Sequence, residues 1–183
     1  MEMVLSYLES FYPLSEGLRD FLFHAVTFRK FKKREFLLQP GEVARYLYFV
    51  QKGLVRCYYI KDEEEVSTWF MREGDVITSV LSFFQQAPGF EYMAAIEDCE
   101  VYALSFADFM KARRGFLEFN YVALDLLIRY YIQSEERLLG LRRTSAQEKM
   151  AFVTEHLGEL LQRVPKKFVA SYMDLAQSAL SRR

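Results

Sequence analysis

Apolar residues change their spacing twice along this chain, and each change marks a boundary. Between residues 2 and 26 they recur at helical intervals, interrupted at Pro13 and resuming at Leu14, Leu18, Phe21, Leu22 and Ala25. From Thr27 to Ser105 the runs become short and alternating or wholly apolar: Glu35–Leu38, Tyr46–Val50, Leu54–Ile60, Val66–Met71, Tyr92–Ile96 and Glu100–Leu104. Turn signals separate them at Gln39-Pro40-Gly41, Lys52-Gly53, Lys61-Asp62-Glu63, Glu73-Gly74-Asp75 and Pro88-Gly89. Many short strands at regular spacing predict a β-sandwich or barrel of the jelly-roll kind.

The helical period returns after Ser105, a plausible N-cap for a short helix over Phe106–Arg113 that Gly115 ends. Leu117, Tyr121, Leu124, Ile128, Tyr131, Glu135 and Leu138 then fall at alternating intervals of four and three, flanked by Leu127, Ile132 and Leu139. That is a heptad seam. Such a seam suits either an amphipathic helix laid on its own barrel or one paired with a second copy. A helix of roughly 25 residues would be about 37 Å long. That exceeds what a small barrel covers, so the length favours a homodimer. Further on, Ser145 and Glu148 are spaced as a capping box for a helix over Ala146–Arg163, and Pro165 breaks it. Two short helices, Lys166–Met173 and Gln177–Arg183, are predicted to follow. The boundaries fall at 1–114, 115–142 and 143–183, an α+β organisation with the strands confined to the first part.

Half of the residues are apolar, which is enough for a substantial core. The net charge of −1 is unevenly spread. Residues 142–183 hold eight Lys/Arg against four Asp/Glu, a surplus of four positive charges that leaves residues 1–141 at −5. A basic end on a near-neutral chain is the asymmetry expected of a module that approaches a polyanion, though ordinary helix-surface charge gives the same count. Cys57 and Cys99 each sit inside an apolar run. Two distant thiols make neither a disulfide framework nor an iron–sulfur site, and His24 and His156 fall on different predicted elements, so no metal or cofactor is expected. The first residues lack the basic start of a signal peptide and no apolar run reaches membrane-spanning length, so a soluble, cytoplasmic protein without a membrane partner is expected. No Ser/His/Asp set, glycine-rich phosphate loop or metal-spaced cluster can be assembled, so an enzyme is not expected.

The two predicted C-terminal helices have the makings of a helix-turn-helix. Ala170 is small where a second helix would cross, and Asp174 stands where the turn needs a left-handed residue. Val169, Met173, Leu175 and Leu180 are apolar at inward positions. Gln177, Ser178, Ser181, Arg182 and Arg183 remain outward as donors to base edges and phosphates, with Lys166 and Lys167 positioned for the backbone. A plain two-helix cap on a core would show the same small-residue spacing.

The order of these parts, and several local motifs, resemble the Crp/Fnr transcription regulators, particularly the branch common in Bacteroidetes. The segments that carry the resemblance are Pro40-Gly41-Glu42, Tyr46-Leu-Tyr-Phe-Val-Gln-Lys-Gly-Leu-Val-Arg56, Glu65-Val-Ser-Thr-Trp-Phe-Met-Arg-Glu-Gly-Asp75 and Ala95-Ile-Glu-Asp-Cys-Glu-Val101 in the barrel. Leu160-Leu-Gln-Arg-Val-Pro165, Ala170-Ser-Tyr-Met173 and Leu180-Ser-Arg182 carry it at the C-terminus. The resemblance implies a cyclic-nucleotide-binding-like sensor barrel over 1–114, a dimerisation helix over 115–142 and a short helix-turn-helix DNA-binding domain over 143–183. The partners it implies are double-stranded DNA, a second copy, RNA polymerase and a small-molecule effector. It maps base reading to Gln177, Ser178 and Arg182, with Arg182 the expected guanine reader.

Two departures qualify that picture. Members that bind cyclic AMP carry Gly-Glu-Leu-Gly and then Arg-Ser-Ala, the arginine neutralising the cyclic phosphate. Here the first position reads Thr78-Ser-Val-Leu81, the second Gly89-Phe-Glu-Tyr-Met93, and no arginine lies between Arg72 and Arg113. A buried phosphate would be uncompensated, so cyclic AMP is not expected to bind in the usual way. An effector cavity, if formed, would be lined by Val76, Ile77, Thr78, Ser79, Val80, Phe83, Phe84 and Tyr92; so aromatic a set more often packs as core. The second departure is at the C-terminus, where Asp174 replaces the usual turn glycine and Arg183 stops short of the recognition helix's last turn and of any β-wing. Either the gene product is longer or DNA binding is weakened. The alternative function is then a degenerate relative acting as a ligand-sensing or protein-interaction module without DNA.

Overall fold

Three serines set where helices begin. In the computed structural model, which describes residues 1–175, Ser15, Ser105 and Ser145 accept the backbone N–H of Leu18, Asp108 and Glu148. They open α2 (Glu16–Ala25), α4 (Phe106–Gly115) and α6 (Ala146–Leu157). At Ser145 the bond is reciprocated by the Glu148 carboxylate, completing the capping box that the spacing predicts. Ahead of α2 lies α1 (Glu2–Glu9), and Pro13 falls between the two.

Eight strands follow: β1 (Thr27–Phe31), β2 (Phe36–Leu38), β3 (Tyr46–Lys52), β4 (Val55–Lys61), β5 (Glu64–Met71), β6 (Val76–Ile77), β7 (Tyr92–Ala95) and β8 (Cys99–Ser105). They form two four-stranded sheets, ordered β1-β8-β3-β6 and β2-β7-β4-β5. The pairs with resolved register are antiparallel, with Arg29 opposite Val101, Tyr48 opposite Ala103 and Ile77 opposite Tyr48. This is the jelly-roll arrangement expected. Its interior is largely apolar: Val50, Leu54, Val55, Ile77, Met93, Ala95, Val101 and Ala103 are all buried.

The chain leaves one sheet for the other at Gly53. Its φ is +96°, and an added Cβ would sit 2.5 Å from the Asp98 carbonyl oxygen and 2.7 Å from Cys99 Sγ. Only glycine meets both demands.

Three elements differ from the sequence reading. Residues 27–31 form β1, although Phe28 and Phe31, three residues apart among basic side chains, show no strand alternation. A six-residue helix, α3 (Val80–Gln85), interrupts the strand region; it is too short to display a helical period. The helix predicted over Ala146–Arg163 is broken: Gly158 takes φ +49°, ψ −122°, and α7 (Leu160–Arg163) restarts after it. Glycine is a poor helix residue, and here it ends α6.

The long helix α5 spans Leu117–Leu141, 25 residues, and α8 (Lys166–Tyr172) is the last element among the described residues. The fold divides into two compact units that do not follow chain order. One comprises Met1–Cys57 and Phe70–Leu127; the other comprises Tyr58–Trp69 with residues from 128 onward. The tip of the β4–β5 hairpin therefore groups with the C-terminal helices. The core of that second unit is Phe152, Val153, Leu157, Leu160, Val164, Val169 and Met173.

Candidate sensor site and nucleic-acid interface

Around α3 the structure gathers the two stretches read as departures. Ser79, almost fully buried, donates from its hydroxyl to the Glu91 carboxylate at 2.5 Å. Thr78 Oγ1 donates to the Tyr46 carbonyl at 3.0 Å. Ser82 donates to the Ala87 carbonyl and accepts the Ala44 N–H, pinning the turn after α3 against the segment before β3. The Gly41 N–H donates to the Gly89 carbonyl, and the Gly89 N–H to the Glu42 carbonyl, across the same seam. These hydroxyls are thus committed to holding the turn.

The candidate pocket residues fall into two groups. Ile77 and Phe83 are core, the Phe83 ring meeting Phe84, Phe106 and Phe109 edge-on at 5.2–5.6 Å. Val80 and Phe84 are about half exposed, Val76 is half-buried, and Tyr92 lies against Phe36. Glu91 brings a negative charge to this region. Arg56 is buried on β4, the strand beside β7. Cys57 feels both: burial pushes its thiol far up, the Glu91 charge adds to that, and Arg56 opposes it. No sequence signal marks Arg56 as buried, because an arginine inside an apolar strand reads as a surface position.

In the second unit, α8 begins after Pro165 with Lys166 and Lys167 exposed. Val169, Ala170 and Met173 face inward. Asp174 takes φ +50°; its N–H reaches the Ser171 carbonyl, and the Leu175 N–H reaches Ala170. That pair of bonds is a Schellman ending with aspartate in the left-handed position. Lys149 Nζ donates to the Met173 and Asp174 carbonyls at 3.0 and 3.3 Å, satisfying the helix end further. Gln177, Ser178, Leu180, Ser181, Arg182 and Arg183 lie outside the described residues.

A polar joint that sequence reasoning missed ties α8 to β5. Arg137, half-buried on α5, donates through Nη2 to the Ser67 carbonyl at 3.2 Å and the Tyr172 carbonyl at 3.4 Å, with its guanidinium 4.6 Å from the Tyr172 ring centroid. Ser67 and Ser171 share a hydroxyl–hydroxyl bond of 2.7 Å, and the Ser67 N–H donates to Ser171. Burial lowers the Arg137 pKa and raises that of Tyr172. The joint depends on pairings distant in sequence, which periodicity does not report.

The heptad positions of α5 present an apolar surface. Leu117, Tyr121, Leu124, Ile128, Tyr131 and Leu138 are 42–68% exposed, and Glu135 is exposed too. Leu127, Ile132 and Leu139 flank them, also exposed, while Phe119 and Val122 on another side of α5 are buried.

These features agree with one known architecture. Residues 28–114 match the cyclic nucleotide-binding domain. No curated protein sequence matches the chain. Solved structures of similar fold include FixK2 from Bradyrhizobium japonicum, 22% identical, with a TM-score of 0.70 over 86% of this chain and 81% of that one. The c-di-GMP-responsive global regulator CLP from Xanthomonas campestris is 14% identical, with a TM-score of 0.73 over 92% and 89%. The catabolite activator protein of Thermus thermophilus is 18% identical, with a TM-score of 0.59 over 96% and 84%. The shared fold therefore extends beyond the barrel into the helices that follow. Among the described residues no His/Cys/Asp/Glu group could hold a metal, and no helix is long and apolar enough to cross a membrane.

Proposed function

We propose that the chain is a cytoplasmic, dimeric, DNA-binding transcription regulator of the Crp/Fnr type, divided into a sensor barrel over 1–114, a dimerisation helix over 115–142 and a DNA-binding segment over 143–183. The observation that carries the reading is α5: a cyclic nucleotide-binding fold runs into a 25-residue helix whose heptad seam lies exposed. A second copy of the same helix, paired knobs-into-holes, is the occupant that a 4-3 repeat fits. Dimerisation would present two copies of α8 and the segment after it to a palindromic site.

The sensor is not built for a cyclic phosphate. Glu91 stands in the stretch that would hold the phosphate-binding arginine, and Ser79 of the preceding stretch is hydrogen-bonded to it. A phosphate entering there would meet a carboxylate, which is repulsive where water is scarce. Calorimetry with cyclic AMP is expected to give no binding in the low-micromolar range.

The test of DNA binding is selection of bound sequences from a randomised duplex pool, followed by a salt titration. A palindrome with half-sites about one helical turn apart and a steep loss of affinity with salt are expected. Sequence-blind or absent association would favour instead the reading of a sensor or protein-interaction module without DNA.

A further inference from the structure

The barrel carries a pocket that adjoins the turn after α3. It measures about 490 Å³ and opens beside β1, β2 and the segment entering β3. Its unusual feature is Arg29. This residue pairs with Val101, so its side chain leaves β1 on the core-facing side of the sheet, the side that holds the buried Val101, Ala103 and Tyr48. The guanidinium is held by aromatic groups and not by a carboxylate among the described residues: it stacks 3.8 Å from the Tyr46 ring centroid and lies beside the Tyr48 phenol. Burial raises the Tyr48 pKa, and the Arg29 charge partly offsets that rise. Arg45 stands exposed at the rim, and Leu38 and Met93 supply an apolar wall. The one carboxylate in the lining, Glu42, is engaged by the Gln39 N–H at 2.8 Å. Two guanidinium groups against one engaged carboxylate leave the pocket with a positive field.

We infer that this pocket binds a small organic anion, its oxyanion head on Arg29 with Arg45 at the mouth and its apolar body against Leu38 and Met93. Arginine suits such a head because its planar N–H fork matches carboxylate and phosphate oxygens alike while its face remains stacked on tyrosine. The site goes beyond the proposed regulatory function and does not require it.

The experiment is titration of the full chain with benzoate, phenyl phosphate and, as the uncharged comparison, benzyl alcohol, read by saturation-transfer NMR and calorimetry. Both anions are expected to bind saturably and roughly tenfold or more tighter than benzyl alcohol, the worth of a charged hydrogen bond. A preference for phenyl phosphate over benzoate assigns the site to phosphorylated ligands, and the reverse to carboxylates; either order supports it. Arg29→Gln is expected to abolish the preference for anions. Arg45→Gln, on an exposed side chain that the fold does not need, is expected to weaken it several-fold. Equal affinity for benzyl alcohol and the anions, no saturable binding of either anion, or anion binding untouched by both substitutions would overturn the inference. If Arg29→Gln leaves anion affinity alone and makes the protein self-associate, the inward charge serves to protect the edge strand β1 from pairing.

Discussion

The two units are held together by different kinds of interior. In the first, two sheets enclose side chains such as Val50, Leu54, Ile77 and Val101, and the polar groups at its edges are satisfied locally by turns. In the second, a smaller apolar core shares its interior with Ser67, Ser171 and Arg137, whose bonds join β5, α5 and α8. An apolar core loses stability by degrees as it is perturbed, because burial is non-directional. A polar joint depends on direction, and losing one member leaves the others buried without partners. The first arrangement suits a frame that keeps its shape. The second suits an element with few alternative arrangements.

The largest effect is expected where the first unit has no room to adjust. Gly53→Ala puts a Cβ against backbone and a sulfur at a positive φ. It should cost about 3 kcal/mol, combining left-handed strain with overpacking, read as a shift in the denaturant midpoint. The matching change in the second unit is Gly140→Ala, whose Cβ would meet the Phe152 ring at 2.5 Å. A ring can turn, and alanine gains about 1 kcal/mol of helix propensity, so the net loss should be near 1 kcal/mol. Equal losses at the two positions would show that a side-chain ring accommodates a new Cβ no better than backbone does.

Arg137→Met tests the joint itself. Methionine keeps the apolar stem and loses both Nη2 bonds, which should cost roughly 2 kcal/mol. Hydrogen exchange should report it as faster amide exchange in α8 and β5, with the barrel strands β1, β3 and β8 unchanged. Uniformly faster exchange would mean that the joint stabilises the whole chain and is no separate element.

A smaller effect is expected on the seam. Leu124→Glu and Tyr131→Glu alter side chains 52% and 63% exposed, so the single chain should keep its thermal stability. The proposed dimer should weaken by roughly tenfold or more for each charge placed in an apolar seam, seen by sedimentation velocity. Unchanged association would place the partner of α5 elsewhere.

Much of this contrast was legible in the sequence, and the rest had physical reasons to be hidden. The strands, the capping box at Ser145, the seam of α5 and the left-handed Asp174 all follow from local rules that each segment obeys by itself. The joint did not show, because Arg137 and Ser67 are each unremarkable alone and meet only in the fold. The stretches around α3 stand out in the sequence by what they lack; the Ser79–Glu91 bond and the burial of Arg56 needed the sheets to be assembled. The Arg29 pocket was missed because Thr27–Phe31 reads as a basic surface run until pairing with β8 turns Arg29 inward.

The subtlest test uses the two cysteines of the first unit. Burial is the main cause in both cases: it pushes the Cys99 thiol to about 11 and the Cys57 thiol further in the same direction, where the Glu91 charge adds to it. An unfolded thiol titrates near pH 8.5, so the folded chain holds its protons more tightly than the unfolded one. The stability this contributes is complete below about pH 8.5 and is lost as the pH rises from there toward 11, with a slope of at most about 1.4 kcal/mol per pH unit for each thiol. Burial raises Tyr48 and Tyr172 as well, but unfolded tyrosines titrate near pH 10, so the thiols should dominate the first part of the decline. Denaturant midpoints measured between about pH 8 and 9.5 should therefore fall, and Cys57→Ala should flatten that fall while lowering the plateau below it. Iodoacetamide should leave both thiols of the native chain unmodified at about pH 8. Rapid labelling of Cys57 would show that β4 opens beside Glu91 and that the first unit is not a frame that keeps its shape.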